Sequence, residues 1–287
     1  MSIMEDVKTF MVTHFKEICV AAVIGITVIA VCKKSRKKTK KSYPRDTVIH
    51  HTVPRGPFAP SLTPFAVKLE TYLRMAKVPY QNEFDSGSNR SSKGKLTWIE
   101  YNGEEVADSE FCIKFINKTL NIDLDKDFTE EEKAIAYSFQ KVAEEYFYWT
   151  LVLQRWIYDE AVELSKYVKI PWIVRKMVKR GLGKQAYAQG IGRHSQEEVQ
   201  TIIVECLKNF SSFLGKKKFL LGEKPCQADC AVFGILSQCY WHGFGSFTEQ
   251  EFKKFENLCS YCERMKAEFW PDWDDCITHG GTKKATK

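Results

Sequence analysis

Apolar positions divide this chain into three kinds of stretch. From Ile18 to Cys32 the sequence reads I-C-V-A-A-V-I-G-I-T-V-I-A-V-C, with no charge for fifteen residues. Between residues 45 and 122 apolar residues come instead in short runs of strand length, broken by two segments with helical spacing. The first strand is expected around Thr47 to His51. A proline-rich loop comes next, and Pro64 suits the first turn of a helix to about Ala76 that faces Phe65, Leu69, Tyr72 and Leu73 inward. A second strand is expected from Tyr80 to Phe84. Leu96, Trp98 and Ile99 begin a third, Asn102-Gly103 makes a hairpin corner, and Glu104 to Val106 form the fourth. Asp108-Ser109 then opens a helix whose residues Phe111, Cys112, Phe115 and Ile116 fall at helical spacing.

Beyond the polar linker Asp123 to Asp127 every remaining element reads as helix. Thr129-x-x-Glu132 and Ser195-x-x-Glu198 are capping boxes, the first opening a long helix to about Asp159 and the second a helix through Phe213. The long helix carries Tyr146, Phe147, Tyr148, Trp149, Trp156 and Tyr158, which domain packing accounts for in the main. Tyr167 to Ala188 is less regular. Trp172, Ile173, Val174, Met177 and Val178 alternate there with Arg175, Lys176, Lys179 and Arg180, as in a helix lying on a membrane or a solvated surface helix. Cys226-x-x-Asp229 precedes an apolar helix from Ala231 to Cys239, with a thiol as a poor cap. The tail from His279 to Lys287 reads as disordered.

Charge changes this picture little. The net charge is +7, yet Lys33, Lys34, Arg36, Lys37, Lys38, Lys40 and Lys41 supply all of it, which argues against a nucleic-acid-binding face. The apolar run before them spans about 22 Å as a helix against a bilayer core of about 30 Å, and Phe10 to Phe15 extend it. Cations after rather than before the run favour an anchor over a secretory signal. The expectation is a single-pass membrane protein with a cytosolic C-terminal domain, on lysosomal, other endomembrane or mitochondrial outer membranes. Ten cysteines, mostly in predicted helices, fit a reducing compartment better than a disulfide scaffold. Pairs such as Cys226/Cys230 and Cys259/Cys262 read as buried and inert, so no metal site is expected.

The order β-α-β, loop, β-β-α is that of the thioredoxin-like half of glutathione transferases, and the helical remainder resembles their second domain. In that superfamily an acidic-Ser pair at a helix start holds the γ-glutamyl end of glutathione, and Asp108-Ser109 stand in its place. A helix N-terminus and a hydroxyl suit a carboxylate, and an acid suits an ammonium. The loop after the first strand carries the thiol-handling residue, so Ser61 and Thr63 are the candidate catalytic residues. The competing reading makes both hydroxyls loop and cap residues. With no cysteine near this loop, disulfide exchange is not expected. Where the superfamily has a proline, usually cis, this chain has Thr97, which predicts a trans bond, since a cis bond there costs about 2.5–4 kcal/mol.

The chain further resembles the failed axon connections family, relatives of the metaxins, and within it the nematode cadmium-responsive members. The motifs are P-S-L-T-P-F-A-V-K-L-E-T-Y-L-R-M-A (60–76), V-P-Y-Q-N (78–82), G-K-L-T-W-I-E-Y-N-G-E (94–104), Q-G-I-G-R-H-S-Q-E-E (189–198) and Q-A-D-C-A-V-F-G (227–234). The resemblance implies a short segment (1–17), an anchor (18–32), a basic stalk (33–44), a thioredoxin-like domain (45–122), a helical domain (123–276) and a tail (277–287). It implies glutathione as ligand or co-substrate at Lys95, Thr97, Asp108 and Ser109, a homodimer, and a role in cadmium or other toxic stress with weak or no conjugation. A scaffold in neurite development or mitochondrial import is the other reading it allows.

Overall fold

The computed structural model describes residues 41–85 and 90–287, so the apolar run 18–32 and the cations before Lys41 lie outside the described residues. Residues Pro44 to Lys287 form one compact unit. It begins with strand β1 (Val48–Thr52), helix α1 (Pro64–Met75), strands β2 (Tyr80–Phe84), β3 (Trp98–Tyr101) and β4 (Glu104–Ala107), and helix α2 (Ser109–Leu120). The sheet order is β2-β1-β3-β4, with β1 parallel to β2 and both other pairs antiparallel. β1 is buried along its whole length, as a central strand covered on both faces must be. Val48, Leu69, Tyr72, Leu73, Ile99, Ile113 and Ile116 form the core beneath it. Phe111, one of the apolar residues at helical spacing, is 54% exposed. Ile113 takes the buried position in α2, because the apolar stripe includes only one of the two flanking residues.

The helical half begins at α3 (Glu130–Lys141), where Thr129 and Glu132 close the expected capping box. The helix continues to residue 158 through a π-helical turn (Val142–Phe147), α4 (Tyr148–Val152) and a second π-helical turn (Leu153–Tyr158). After α5 (Val162–Ser165) come α6 (Trp172–Gln189), α7 (Gln196–Leu214), α8 (Gln227–Tyr240), α9 (Phe247–Phe252) and α10 (Glu256–Phe269). The irregular-looking stretch is therefore mostly one continuous helix, α6. Helix α8 is buried on nearly every side and lies against α1. Gly234 allows that approach, since a Cβ there would stand 2.6 Å from the Pro64 carbonyl oxygen. The cap of α8 works through its acid. Buried Asp229 accepts the Cys226 amide at 2.8 Å and the Leu220 amide at 3.0 Å, and Tyr261 donates to it at 2.9 Å.

The tail differs from its expected disorder. Residues His279–Gly281 form a 3-10 turn, the Thr286 and Lys287 amides donate to the Asp275 carbonyl, and Arg55 Nε donates to the Lys287 carbonyl at 2.8 Å. Lys287 Nζ also lies 3.2 Å from Asp272. A short polar segment with little apolar content is held here by charge and backbone hydrogen bonds, which composition does not reveal. Among the described residues no helix is long and apolar enough to cross a membrane.

Candidate functional site

The sheet register decides which candidate residues meet. His51 pairs with Trp98 and Trp98 with Ala107, so Thr52, Thr97 and Asp108 leave their strands side by side at one sheet edge. The loop from β1 to α1, with Ser61 and Thr63, starts from that same edge. Lys95 sits further out, exposed, in a turn where the Ser91 amide donates to the Lys95 carbonyl and the Lys95 amide donates to the Ser91 Oγ, each at 3.0 Å.

At the start of α2, Asp108 adopts φ 83 and ψ 126, a conformation that costs a non-glycine residue about 1–3 kcal/mol. The turn directs its carboxylate onto the Glu110 amide at 3.1 Å. Ser109, the next residue, is buried at 7% exposure, and its hydroxyl makes no hydrogen bond within the described chain. The first amides of α2 have no helical carbonyl to bond. Acid, hydroxyl and helix-terminal amides thus converge on one helix terminus, with the Glu110 amide taken by the Asp108 carboxylate and the Cys112 amide by the Asp108 carbonyl. The peptide bonds around Thr97 are trans, like every described bond, and the Thr97 hydroxyl is buried without a partner.

Behind this corner Lys68 of α1, 2% exposed, reaches Glu110 at 2.9 Å and Glu144 at 2.5 Å, while Gln140 donates to both acids. Burial alone would raise the Glu110 pKa, but Lys68 holds it below the ordinary carboxylate range. Burial likewise opposes the charge on Lys68, and the two carboxylates more than restore it. The candidate corner is therefore fixed to the helical half through one buried cation.

The two loop hydroxyls differ. Ser61 is 3% exposed, its Oγ accepts the Thr63 amide at 3.2 Å, and its carbonyl accepts Gln238 Nε2 at 3.1 Å. Its hydroxyl oxygen holds the turn into α1. Thr63 precedes α1 with an extended backbone and no capping bond, leaving its hydroxyl half-exposed and without a partner among the described residues. Phe65 meets Tyr148 edge-on at 5.0 Å beside it, while Phe147 belongs to the core and Tyr146 is exposed.

Sequence reasoning missed what braces this loop. His242 Nε2 accepts the Ala59 amide at 3.0 Å and the Phe58 amide at 3.2 Å, which assigns the ring proton to Nδ1, facing Gln238 Oε1 at 3.3 Å. Burial, aided by the nearby Arg155 cation, holds His242 well below its ordinary pKa. Arg155 donates to the Leu62 carbonyl at 3.2 Å and the His242 carbonyl at 2.9 Å and has no ion-pair partner among the described residues. Burial lowers its pKa to about 10. These residues line a cavity of about 310 Å³ between the second π-helical turn and the loop after α8. An arginine within an aromatic-rich helical run was the available signal.

All the described cysteines except Cys259 are buried, and burial raises their thiol pKa values, to about 12 for Cys112 and about 11 for Cys276. Among the described residues no three His, Cys, Asp or Glu side chains are placed to hold a metal ion.

Residues 64–161 match the glutathione S-transferase N-terminal domain, and residues 203–265 match the glutathione S-transferase C-terminal domain. The chain belongs to the glutathione S-transferase-like proteins. It is related to failed axon connections of Drosophila melanogaster, with 30% identity over 258 residues, or 83% of this chain and 62% of the fly protein. The chain thus spans less than two thirds of that relative. It is also similar to isoprene-epoxide–glutathione S-transferase of Rhodococcus, 26% identical over 73% of this chain and 94% of that protein. The METAXIN protein of the mitochondrial outer membrane import complex in Arabidopsis thaliana is 24% identical, over 78% of this chain and 74% of its own length. The fold is that of solved transferase-like structures such as the β-etherase LigF of Sphingobium, with a TM-score of 0.51 and 16% identity over 77% of this chain and 95% of that one.

Proposed function

We propose that this protein binds glutathione at the Asp108-Ser109 corner and conjugates it weakly or not at all. The observation that carries this reading is the strained Asp108 backbone at φ 83 beside Ser109, a buried residue whose hydroxyl is left without a partner among the described residues, at a helix N-terminus. The γ-glutamyl carboxylate is assigned to Ser109 and the α2 amides, and the ammonium to Asp108. Lys95 and Thr97 lie along the tripeptide backbone. Thr63, not Ser61, is the residue left to face its sulfur, and a neutral hydroxyl lowers a thiol pKa less than a cation does. Weak chemistry is the result. In this reading the protein is a membrane-tethered member of the cadmium-responsive branch, with its folded part in the cytosol. Glutathione supplies the soft thiolate that takes the metal, and a homodimer is the proposed assembly.

Calorimetric titration with glutathione tests this reading. Binding by the wild type, lost in Asp108→Ala/Ser109→Ala, supports it; identical heats for the two proteins would remove it. A second reading, a scaffold without ligand, draws on the inward-turned Ser61 hydroxyl and on the trans Thr97 that replaces the family proline. It predicts no glutathione heat in any variant.

A further inference from the structure

Helix α6 projects an apolar end that the described fold leaves uncovered. Trp172 is 62% exposed, Ile173 55% and Met177 69%, within the first two turns. The same helix carries Arg175, Lys176, Lys179, Arg180 and Lys184 and no acid. Lys179 is paired with Glu160 at 2.5 Å. Lys176, Arg180 and Lys184 have no acidic partner among the described residues, and Lys176 lies over the Trp172 ring at 5.0 Å. At helical spacing Trp172, Ile173, Lys176, Met177, Arg180 and Lys184 share the outward half of the helix, while Val178, Leu182 and Ala186 face the protein.

We propose that the start of α6 is a docking surface for an anionic lipid bilayer, with Trp172, Ile173 and Met177 entering the headgroup layer and the three free cations on lipid phosphates and carboxylates. Charge complementarity selects this occupant: the patch is uniformly positive, and lipid surfaces on the cytosolic side are negative. Its composition also separates it from a protein interface. Lysine is depleted in the centres of protein interfaces, whereas interfacial helices combine Lys and Arg with Trp on a convex surface. The proposal stands on α6 alone and is independent of glutathione binding and of the apolar run at 18–32.

Backbone hydrogen exchange of the 287-residue chain, bound to phosphatidylcholine vesicles with or without phosphatidylserine, provides the test. A readout local to α6 is needed because the N-terminal cations also attract anionic lipid. Protection of residues 172–178 is expected only with phosphatidylserine. It should disappear in Trp172→Glu/Met177→Glu, and Lys176→Gln/Arg180→Gln/Lys184→Gln should weaken it on the order of a hundredfold in lipid concentration, about fivefold per cation. Unchanged exchange in vesicle-bound protein would overturn the proposal. So would protection that grows with protein concentration without vesicles, which assigns the face to a second copy. Equal protection by soluble polyglutamate would assign it to an acidic protein.

Discussion

The Arg55 guanidinium meets the Glu70 carboxylate edge to edge, Nη1 2.6 Å from Oε2 and Nη2 2.9 Å from Oε1, with both side chains almost sealed from water. Tyr80 and Asn82 complete the carboxylate's hydrogen bonds at 3.0 Å each. Arg55 extends the network to the tail, and Arg74 extends it to Asp272 at 2.5 Å. One buried acid on α1 thus joins the β1–α1 loop, β2 and the last residues of the fold.

Glu70→Gln leaves Arg55 buried without its counter-charge. A loss of about 3–5 kcal/mol in unfolding free energy is expected from urea titration. Arg55→Met should cost a comparable amount, and the double variant less than the sum, because each single change already breaks the same pair. Additive losses would mean that the two side chains act separately.

Stability should decline in acid in two stages. Burial lowers the His50 pKa to about 4 against an ordinary 6.5, so between those values the unfolded chain binds the extra proton. Stability therefore falls as pH drops from about 6.5 towards 4. Glu70 titrates next: burial would raise its pKa, but Arg55 holds it at about 2, so its contribution, complete above about 4.5, is lost between there and 2. Thermal midpoints measured across this range should steepen below 4.5. His242, also held below its ordinary value by burial, adds to this fall, so His50→Asn should flatten the upper part of the curve only in part, and an unaltered curve would assign that part to His242.

Gly234→Ala should destabilise the fold although alanine favours helices. The new methyl would meet the Pro64 carbonyl at 2.6 Å and the Lys68 amide at 3.1 Å, forcing the start of α1 outward. The overpacking cost is about 1–3 kcal/mol before a propensity gain of about 1. Faster hydrogen exchange over residues 61–67 is the expected local signature.

Asp108 separates strain from capping. Asp108→Gly relieves the positive φ and costs only a few tenths of a kcal/mol at a cap, whereas Asp108→Ala keeps the strain and loses about 0.5–2 kcal/mol. The glycine variant should melt above the alanine variant, while both should lack the glutathione binding proposed for the wild type. Equal melting points would show that the backbone relaxes when the carboxylate is removed.

Much of this fold was legible because its punctuation is local. Pro64, Asn102-Gly103, Thr129-x-x-Glu132 and Ser195-x-x-Glu198 each act within one turn of chain, and each marks the boundary its chemistry predicts. The Asp108-Ser109 helix start was equally visible, but the backbone strain there was not. What sequence could not supply depends on distant partners. The tail is fixed by Arg55 more than 200 residues away, and His242 takes amides 183 and 184 positions earlier. Ser61 and Thr63 look equivalent as letters, and only the folded turn shows which hydroxyl is occupied.

The two π-helical turns at Val142–Phe147 and Leu153–Tyr158 each hold one residue more than an α-turn would. Chain length is therefore adjustable at these points. Removing one residue inside either turn would let regular winding close the gap and keep the downstream faces in phase. The same deletion within Glu130–Lys141 would rotate the residues on its N-terminal side by about 100° relative to the remainder of the helix.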